Sequence, residues 1–286
     1  MGPGFDCLGM ALDIWNHITV ELGASNFTIH GEGKKTLPTN KSNLVYKSFA
    51  LPFQESGEQI PSVSITCNNE IPINRGLGSS STSIIGGLIA GNNFCEHPLS
   101  QQELLNLAIK MDGHPDNAST ALNGGCQIVA SDDQNLVIKS VPIAKDLKAV
   151  IFIPDMPMPT KKARSILSAK ITRDDAVYNI SRVALLITAL TTGDLTHLDI
   201  ATQDRIHQPD RQKIFPAMNN IFRAALASGA YGVFLSGAGS SILALTRGRE
   251  MTIGYEMAEA ASKSGIDGFF KVTNLTTEGA QVVSYE

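Results

Sequence analysis

The sequence predicts an α+β protein of two domains, and three observations lead to that prediction. The chain has 286 residues, of which 43% are hydrophobic and 17% are charged. At about 100–200 residues per domain, this length is enough for roughly two folded domains. Strand-like and helix-like segments both occur along the chain, and their order lacks the steady alternation of a doubly wound parallel sheet.

Strand-like segments are most frequent in the first half of the chain. They are β-branched or alternate between apolar and polar residues, with Gly, Pro and Asn around them. These segments are residues 14–22, 27–30, 63–68, 127–130, 136–141 and 149–154. Between them, the small apolar stretch 82–90 predicts a buried helix. Ser100 and Glu103 form a capping box that begins another helix.

The second half begins near a proline-rich segment, residues 154–159, which helices avoid. We therefore predict two domains, residues 1–150 and residues 151–286. Apolar spacing predicts a long helix over 174–190 that ends at Gly193. The remaining predicted elements are helices over 216–227 and 252–264 and strands over 233–235, 242–245, 268–272 and 281–285.

Composition argues against several classes of protein. The net charge of −4 disfavours non-specific nucleic-acid binding, which needs a basic surface. No apolar run approaches the roughly 18 residues of a membrane span, and the first residues lack the basic region of a secretory signal. The four cysteines are far apart and form no CxxC pair. We therefore expect reduced thiols in a cytoplasmic protein, not a disulfide framework.

A glycine- and serine-rich segment, residues 71–82, runs from a strand-like segment into the predicted helix. Gly76 and Gly78 allow a sharp turn and a close approach of the backbone to a ligand. Hydroxyls at residues 79–82, beside the unpaired N–H groups of a helix N-terminus, are typical of a phosphate site. The alternative is an ordinary loop that caps a helix. Signatures of Walker loops, dinucleotide folds and serine hydrolases are absent from the sequence.

Three further groups of residues carry candidate chemistry. Residues 112–117 supply two carboxylates, an imidazole and an amide, which suit Mg²⁺ or else a polar turn after a helix. Glycine-rich segments at 2–6 and 236–241 suggest a backbone-lined site, although each alone is typical of a turn. Three arginines could together grip a carboxylate, or each could be a solvated surface charge. These arginines are Arg164, Arg182 and Arg211.

These segments, in this order, resemble motifs of the GHMP small-molecule kinases, and within them of the homoserine kinases. The central segment resembles the family's ATP-phosphate loop, P-x-x-x-G-L-G-S-S, and residues 2–9 resemble the opening L-G-P-G-F-D-x-L-G. Residues 112–117 resemble E-G-H-P-D-N, residues 207–211 resemble H-Q-P-Y-R, and residues 236–240 resemble the third motif, S-G-A-G. The resemblance covers nearly the whole chain.

The resemblance implies ATP-dependent phosphorylation of the hydroxyl of L-homoserine, with Mg²⁺, as a step towards threonine. It also implies an N-terminal domain with a left-handed β-α-β crossover and a ferredoxin-like C-terminal domain, and it suggests a homodimer. The sequence begins inside the first motif, so the family's first strand is expected to be missing.

The resemblance also implies roles for individual residues. The ATP-binding residues would be Asn43, at the nucleotide base, and Pro72, Ile73, Asn74, Arg75, Gly76, Leu77, Gly78, Ser79, Ser80, Ser81 and Thr82. The metal ligands would be Ser79 and Asp112. The substrate-binding residues would be Asp6 for the amine, Arg164 and Arg211 for the carboxylate, Gly237, and Asn117 near the reacting hydroxyl. The catalytic residues would be Asn117 and Asp112.

The implied mechanism needs no strong protein base, because the amide of Asn117 cannot accept a proton at neutral pH. It rests on positioning and charge stabilisation of a loose phosphoryl transition state. Asp116 is the lower-ranked alternative as a base. Three residues depart from the family pattern: Asp112 stands where Glu is usual, Asp210 replaces an aromatic residue beside the next arginine, and Asn74 replaces a small residue.

Two other functions stay open from the sequence. Another GHMP kinase, acting on mevalonate or a sugar, is expected to carry an aspartate at position 117 and to lack the segment 207–211. A nucleotide-binding relative without turnover is the alternative outside the enzymes. The incomplete first motif and Asp112 motivate that alternative.

Overall fold

The computed structural model describes residues 1–132, 135–144 and 146–283. The strands are β1 (Leu8–Met10), β2 (Asn16–Leu22), β3 (Asn26–Gly31), β4 (Val63–Asn69), β5 (Cys126–Asp132), β6 (Asn135–Val141), β7 (Lys148–Pro154), β8 (Gly232–Leu235), β9 (Ile242–Thr246) and β10 (Gly268–Asn274). The helices are α1 (Leu44–Ser56), α2 (Ser79–Asn93), α3 (Gln101–Asp112), α4 (Pro115–Asn123), α5 (Thr160–Ser165), α6 (Arg173–Thr192), α7 (Leu198–Ala201), α8 (Gln208–Gln212), α9 (Met218–Ala227) and α10 (Glu250–Lys263). This mixture of helices and sheets confirms the predicted α+β class.

Contacts between residues divide the chain into two compact units. Unit 1 contains Met1–Asp13, Asn74–Leu77 and Gly125–Thr276. Unit 2 contains Ile14–Ile73, Gly78–Gly124 and the chain from Thr277 onward. The division into domains over 1–150 and 151–286 stays a prediction.

The sheet of unit 2 has the strand order β2-β4-β3. β2 pairs with β4 in antiparallel register, with Ile18 opposite Cys67. β3 pairs with β4 in parallel register, with Ile29 opposite the same cysteine. Because α1 lies between β3 and β4 in the sequence, these three elements form a β-α-β crossover. The left-handed sense of the crossover stays a prediction.

Helices α1 and α2 pack closely because α2 carries glycine at the contact. A Cβ on Gly87 would lie 2.5 Å from the carbonyl oxygen of Val45, and one on Gly91 would lie 2.1 Å from that of Phe49. Any larger residue at either position would push the helices apart. Glycine inside a helix costs about 1 kcal/mol relative to alanine, and the close packing offsets that cost.

The helices that follow α2 have clear end signals. The Ser100 hydroxyl accepts the N–H of Glu103, and the Glu103 carboxylate accepts the N–H of Ser100 at 2.8 Å, so the predicted capping box is confirmed. α3 ends at Gly113, which has a φ of 74°. α4 begins at Pro115, whose missing N–H is no loss in the first turn of a helix.

Unit 1 contains a four-stranded antiparallel sheet with the order β10-β7-β9-β8. Of the helices between β7 and β8, α9 packs on this sheet beside α10, which lies between β9 and β10, so the packed elements follow a β-α-β-β-α-β path. This path with this strand order is the ferredoxin-like arrangement that the family resemblance implied. Phe152 of β7 and Ile253 of α10 lie in its buried core. The predicted end of α6 is confirmed, because Gly193 follows it with a φ of 75°.

A second sheet of unit 1 has the order β1-β5-β6. β1 is antiparallel to β5, with Leu8 opposite Ile128. β6 pairs along the other edge of β5, with Ile138 opposite Val129. The N-terminal strand therefore pairs with a strand from far along the sequence.

Several sequence predictions need correction. The helix predicted over 216–227 begins at Met218, after a turn. The strand predicted over 281–285 is wrong at 281–283, which form no strand, and its last two residues lie outside the described chain. The tail follows the end of α4 instead, where the Ala280 N–H donates to the Ala121 carbonyl at 3.0 Å.

Five helices of the described chain were not predicted: α1, α4 and the three short helices α5, α7 and α8. α1 carries Pro52 in its interior, and proline normally breaks a helix. α4 starts inside the polar segment 112–117, which reads as a turn. Among the described residues, no helix is long and apolar enough to cross a membrane.

Candidate active site

The glycine-serine loop, residues 71–82, leads from β4 into α2 with three left-handed backbone positions. Asn74, Gly76 and Gly78 have φ angles of 56°, 73° and 76°. Gly78 directly precedes α2, and no side chain in the described part of the chain caps this helix. The N–H groups of the first turn of α2 are therefore available to a ligand. The helix dipole favours an anion at this position.

The two glycines of this loop have different surroundings. A Cβ on Gly76 would lie 2.0 Å from the carbonyl oxygen of Ser236 and 2.7 Å from the backbone N of Gly239. At Gly78, no heavy atom of the described residues lies within 4 Å of a Cβ position. Gly76 therefore serves backbone packing within unit 1, whereas Gly78 faces open space at the start of α2.

Arg75 anchors the loop within unit 1. Its Nε donates to the carbonyl of Pro154 at 2.6 Å, and its Nη2 donates to the carbonyl of Asp155 at 2.7 Å. Its own carbonyl accepts the N–H of Ser241 at 3.0 Å. The guanidinium of Arg75 thus holds backbone carbonyls, and a contact between Arg75 and ATP stays a prediction.

Asp112 contacts the first turn of α2 through its carboxylate. Oδ1 accepts the Ser80 hydroxyl at 2.9 Å, and Oδ2 accepts the Ser81 hydroxyl in a short hydrogen bond. Ser81 is buried, whereas Ser80 is exposed. The family resemblance paired Asp112 with Ser79, and the hydroxyls that reach the carboxylate are those of the next two serines.

The oxygen atoms around Asp112 fit a magnesium ion in chemical type. Mg²⁺ prefers oxygen ligands and usually takes one or two carboxylates together with substrate phosphates and water. Asp112 supplies a half-buried carboxylate, and the serines beside it supply hydroxyl oxygens. Within the described residues, no group of three or more His, Cys, Asp or Glu side chains could hold a metal ion.

Asn117 lies on a helix that packs against α2. It is half-buried in the first turn of α4, and Asp112 is the last residue of α3. Gly113 and His114 form the short turn between these helices, and both helices contact α2. The two predicted catalytic residues therefore belong to one helical layer of unit 2.

Asn43 has a structural role in unit 2. Its Oδ1 accepts the N–H of Val45 at 2.8 Å, which caps α1, and its Nδ2 donates to the carbonyl of Pro38 at 2.7 Å. The side chain is buried. Both polar atoms of the side chain bind backbone groups. A contact between Asn43 and the nucleotide base stays a prediction.

A second set of predicted site residues surrounds Phe5 in unit 1. We call Phe5, Asp6, Arg164, His207 and Arg211 the Phe5 cluster. The Asp6 carboxylate accepts two hydrogen bonds from Arg164, at 3.0 and 2.7 Å. The guanidinium carbons of Arg164 and Arg211 lie 5.6 and 5.4 Å from the centre of the Phe5 ring. The structure therefore brings Asp6 and both arginines together.

The ion pair of this cluster is accessible to solvent. The side chains of Arg164 and Asp6 are 36% and 44% exposed. An exposed pair of this kind contributes about 0–1 kcal/mol to stability. A charged ligand can therefore displace Arg164 from Asp6, and Asp6 from Arg164, at little cost in stability.

Arg211, by contrast, is only 1% exposed. Its Nη1 donates to Nδ1 of His207 at 2.9 Å and to the Gly237 carbonyl at 2.8 Å. Burial, with a smaller effect of Arg164, lowers the pKa of Arg211 to about 10, so the residue stays charged at neutral pH. Gly237, predicted to bind the substrate, uses its carbonyl to hold this arginine.

Two other expected neighbours have different partners. Asp210, expected to place a negative charge beside Arg211, accepts a hydrogen bond from Lys213 Nζ at 2.6 Å. This bond, with one from a backbone N–H, holds the pKa of Asp210 below its ordinary value. Arg182 stacks on the Tyr178 ring, with its guanidinium carbon 3.4 Å from the ring centre.

The buried residues that hydrogen-bond to the Phe5 cluster and to one another were not predicted from the sequence. Asp204 and Asn179 are buried and hydrogen-bonded to each other, and His207 contacts both Gly2 and Arg211. A buried aspartate cannot be told from a surface aspartate in a single sequence. The only available signal was the position of Asp204 just before the motif at residues 207–211.

Comparison with known families and proteins identifies relatives over the whole chain. Residues 43–125 match the GHMP kinases N terminal domain, and residues 186–262 match the GHMP kinases C terminal region. A homoserine kinase of Desulfitobacterium hafniense is 38% identical over 286 aligned residues, which cover 99% of this chain and 96% of that protein. A homoserine kinase of Microchaete diplosiphon is 39% identical, with 98% of this chain and 92% of that protein covered.

A solved structure shows the same fold. The crystal structure of homoserine kinase from Cytophaga hutchinsonii matches 99% of this chain and 93% of that chain, with a TM-score of 0.88 and 29% sequence identity. The mevalonate kinase of L. major, solved with R-mevalonate, has a TM-score of 0.67 at 14% identity over 96% of this chain and 90% of that chain. The second similarity shows the fold alone.

Proposed function

The chain belongs to the homoserine kinases of the GHMP kinase family, and from this premise we propose that it transfers the γ-phosphoryl group of ATP to the hydroxyl of L-homoserine. The products are ADP and O-phospho-L-homoserine. The bond between the γ-phosphorus and the β-phosphate oxygen breaks, a bond to the homoserine oxygen forms, and the hydroxyl proton is released. The observation that carries this proposal is the Phe5 cluster, whose charges match those of an amino acid.

An amino-acid substrate fits the Asp6–Arg164 pair charge for charge. Free homoserine carries one ammonium and one carboxylate, so its ammonium replaces Arg164 at Asp6 and its carboxylate replaces Asp6 at Arg164. Arg164 presents a planar fork that suits a carboxylate, and Arg211 adds a second positive charge. Mevalonate has a carboxylate for Arg164 but no ammonium for Asp6, and a neutral sugar has neither charge. Gly237 acts indirectly, through its hydrogen bond to Arg211.

The glycine-serine loop is assigned to the phosphates of ATP. The uncapped first turn of α2 presents N–H groups and hydroxyls to an anion, and Gly78 lets the nucleotide approach the backbone. The assignment includes Pro72, Ile73 and Leu77, which form the loop before α2. Asn74 turns the backbone with its positive φ.

Asp112 and the nearby serines are assigned to a magnesium ion. We keep Ser79 as a ligand in this proposal, and Ser80 and Ser81 share the Asp112 carboxylate. When bound, Mg²⁺ neutralises charge that develops on the transferred phosphoryl group.

Asn117 is assigned to the reacting hydroxyl of homoserine. Its amide donates and accepts hydrogen bonds but cannot take up a proton at neutral pH. The residue therefore orients the nucleophile, and the rate enhancement comes from positioning and from stabilisation of charge. Asp116 remains the lower-ranked candidate for a base.

The activity is tested with purified protein, ATP, Mg²⁺ and one acceptor at a time. Release of ADP is measured with L-homoserine, with mevalonate, with galactose and without an acceptor. We expect rapid release with L-homoserine alone and formation of O-phospho-L-homoserine, detected by mass spectrometry. ADP release with mevalonate or galactose and not with homoserine would show that the substrate assignment is wrong. Tight ATP binding without turnover on any acceptor would favour the non-catalytic alternative.

Cytoplasmic location and a homodimer are part of the same proposal. The four scattered cysteines support the first, and the family resemblance supports the second. Light scattering of the purified chain, at several concentrations, measures the oligomeric state. A monomer at all concentrations would remove the homodimer from the proposal and would leave the activity unaffected.

A further inference from the structure

A buried polar network centred on Asp204 lies behind the Phe5 cluster. The Asp204 side chain has 0% of its surface exposed. Oδ1 accepts the Asn179 amide at 2.7 Å and the N–H of Ile206 at 3.1 Å. Oδ2 accepts the N–H groups of His207 at 2.9 Å and Gln208 at 2.7 Å. A buried carboxylate is costly unless it is hydrogen-bonded, and these four donors fix the segment 204–208.

His207 connects this fixed segment to two others. Its Nε2 lies 2.8 Å from the carbonyl oxygen of Gly2, and its Nδ1 lies 2.9 Å from Nη1 of Arg211. A carbonyl only accepts and a guanidinium only donates, so His207 is neutral and carries its proton on Nε2. Burial lowers the pKa of His207 to about 4, against the opposing effect of Asp204, which agrees with the neutral form.

The ring of His207 also supports Phe5. The two rings are stacked, with centroids 4.9 Å apart and planes at 24°. His207 therefore holds the N-terminal segment at Gly2 and at Phe5, and the next residue, Asp6, carries the carboxylate that faces Arg164. One imidazole thus contacts both sides of the predicted substrate site, the segment of Asp6 and the guanidinium of Arg211.

We propose that Asp204 and His207 are positioning residues for homoserine binding, which fix Asp6 and Arg211 in one arrangement without touching the substrate. The inference rests on the proposed function, because that function assigns the substrate amine to Asp6 and the substrate carboxylate to Arg211. Asp204 holds the backbone of the segment 204–208. His207 donates a hydrogen bond to the Gly2 carbonyl and accepts one from Arg211, so both residues are held against that segment. A network that only stabilises the fold is the competing explanation.

Two variants of His207 separate its two hydrogen bonds. His207→Asn keeps an acceptor near the Nδ1 position and loses the donor to Gly2. His207→Gln keeps a donor near the Nε2 position and loses the acceptor for Arg211. We expect either variant to raise the KM for homoserine roughly tenfold, because a buried polar group loses its partner. The KM for ATP should change by less than about twofold.

His197→Gln is the matched control, since His197 is exposed and lies in the same unit. We expect this variant to have the wild-type KM values for both substrates. Asp204→Asn is a second test of the network, because an amide presents N–H groups to two of the four donors. It should raise the KM for homoserine at least as much as the His207 variants do.

Kinetics and thermal melting of the same preparations decide between positioning and stability. A selective rise in the KM for homoserine supports the proposal. Lower melting temperatures with wild-type KM values, or equal rises in both KM values, would overturn it. If the variants do not fold, nitrogen NMR follows His207 of the wild-type chain at pH 7 without and with homoserine. A proton on Nε2 together with a shift of the His207 signals on binding supports the proposal, and a proton on Nδ1 or signals that homoserine leaves unchanged contradict it.

The wild-type assay separates this proposal from the proposed function. A wild-type chain that does not phosphorylate homoserine overturns the proposed function. An active wild type with unchanged His207 and Asp204 variants overturns only the positioning roles.

Discussion

The start of α2 and the Phe5 cluster offer an anion two contrasting kinds of partner. At α2, the partners are backbone N–H groups and small hydroxyls from consecutive residues, and no charged side chain caps the helix in the described chain. In the Phe5 cluster, the partners are two guanidinium groups whose residues lie far apart in the sequence. The first arrangement is set by local backbone conformation, and the second by the packing of distant segments.

This difference explains why the two regions differ in what a substitution does. A backbone site depends on φ angles, so one added methyl group is enough to damage it. A side-chain site depends on the geometry of charged groups, so even a conservative exchange of one cation for another is harmful. In the proposed function, the shared phosphoryl chemistry belongs to the first kind of site and the choice of acceptor to the second.

The largest expected effect comes from Gly78→Ala. The φ of 76° costs an alanine about 1–2 kcal/mol of stability, and the methyl group enters open space that we assign to phosphate. We expect kcat/KM for ATP to fall by about 100-fold, the loss that a misplacement of about 1 Å can cause. Calorimetric titration with a non-hydrolysable ATP analogue measures the loss of binding.

Gly76→Ala is the comparison for this variant, because its Cβ would collide with the Ser236 carbonyl oxygen. We expect this change to lower the melting temperature more than Gly78→Ala does. Near-normal ATP binding in a folded Gly78→Ala protein would contradict the phosphate assignment.

A smaller effect is expected for Asp112→Asn. The change removes the charge beside the Ser80 and Ser81 hydroxyls while it keeps the shape of the side chain. We expect kcat to fall about 30-fold, which corresponds to the roughly 2 kcal/mol of an interaction with a charged group. ATP affinity should change much less, and high Mg²⁺ should restore part of the rate.

The same change at Asp116 separates the metal ligand from the alternative base. We expect Asp116→Asn to cost less than Asp112→Asn at every Mg²⁺ concentration. Wild-type turnover of Asp112→Asn at limiting Mg²⁺ would exclude Asp112 as a ligand.

The smallest expected effect is that of Arg211→Lys. A lysine keeps the charge but cannot reproduce the fork of donors. Because the charge stays, the cost is smaller than the roughly 2–5 kcal/mol for truncating one partner of a buried charge pair, and a loss of about 1.4 kcal/mol is tenfold. We therefore expect the KM for homoserine to rise roughly tenfold, with little change in the KM for ATP. Arg182→Lys, which alters a cation stacked on Tyr178, should leave both KM values unchanged.

A homoserine analogue with its carboxylate reduced to an alcohol completes this test. It should be a poor substrate for the wild type and should lose little more with Arg211→Lys. Equal losses for homoserine and for the analogue would show that Arg211 acts on the fold or on phosphate.

The parts of the fold with local signals could be predicted from the sequence. The capping box of α3 and the glycine after α6 were both recognised, because each depends on residues a few positions apart. α1 was missed, because its interior Pro52 is a strong signal against a helix that tertiary packing overrides. The strand predicted at 281–283 was wrong because an apolar tail can follow a helix end as well as a sheet edge.

The candidate site shows the same limit. The glycine-serine loop is one continuous segment, so its turn and helix start could be recognised directly. The Asp6–Arg164 contact joins residues that are 158 positions apart in the sequence, and only the family resemblance placed them together. Asp204 escaped notice entirely, because nothing local distinguishes a buried carboxylate from a solvated one.

The pairing of β1 with β5 has a consequence for the order in which the chain is made. Leu8 pairs with Ile128, and the Gly2 carbonyl accepts a hydrogen bond from His207, which is synthesised much later. At about 5–20 residues per second, the first strand leaves the ribosome on the order of 10 s before its partner. Asp6 and Phe5 are therefore synthesised well before the residues that complete their native contacts. During that interval β1 is an unpaired edge that a chaperone or a neighbouring chain can bind.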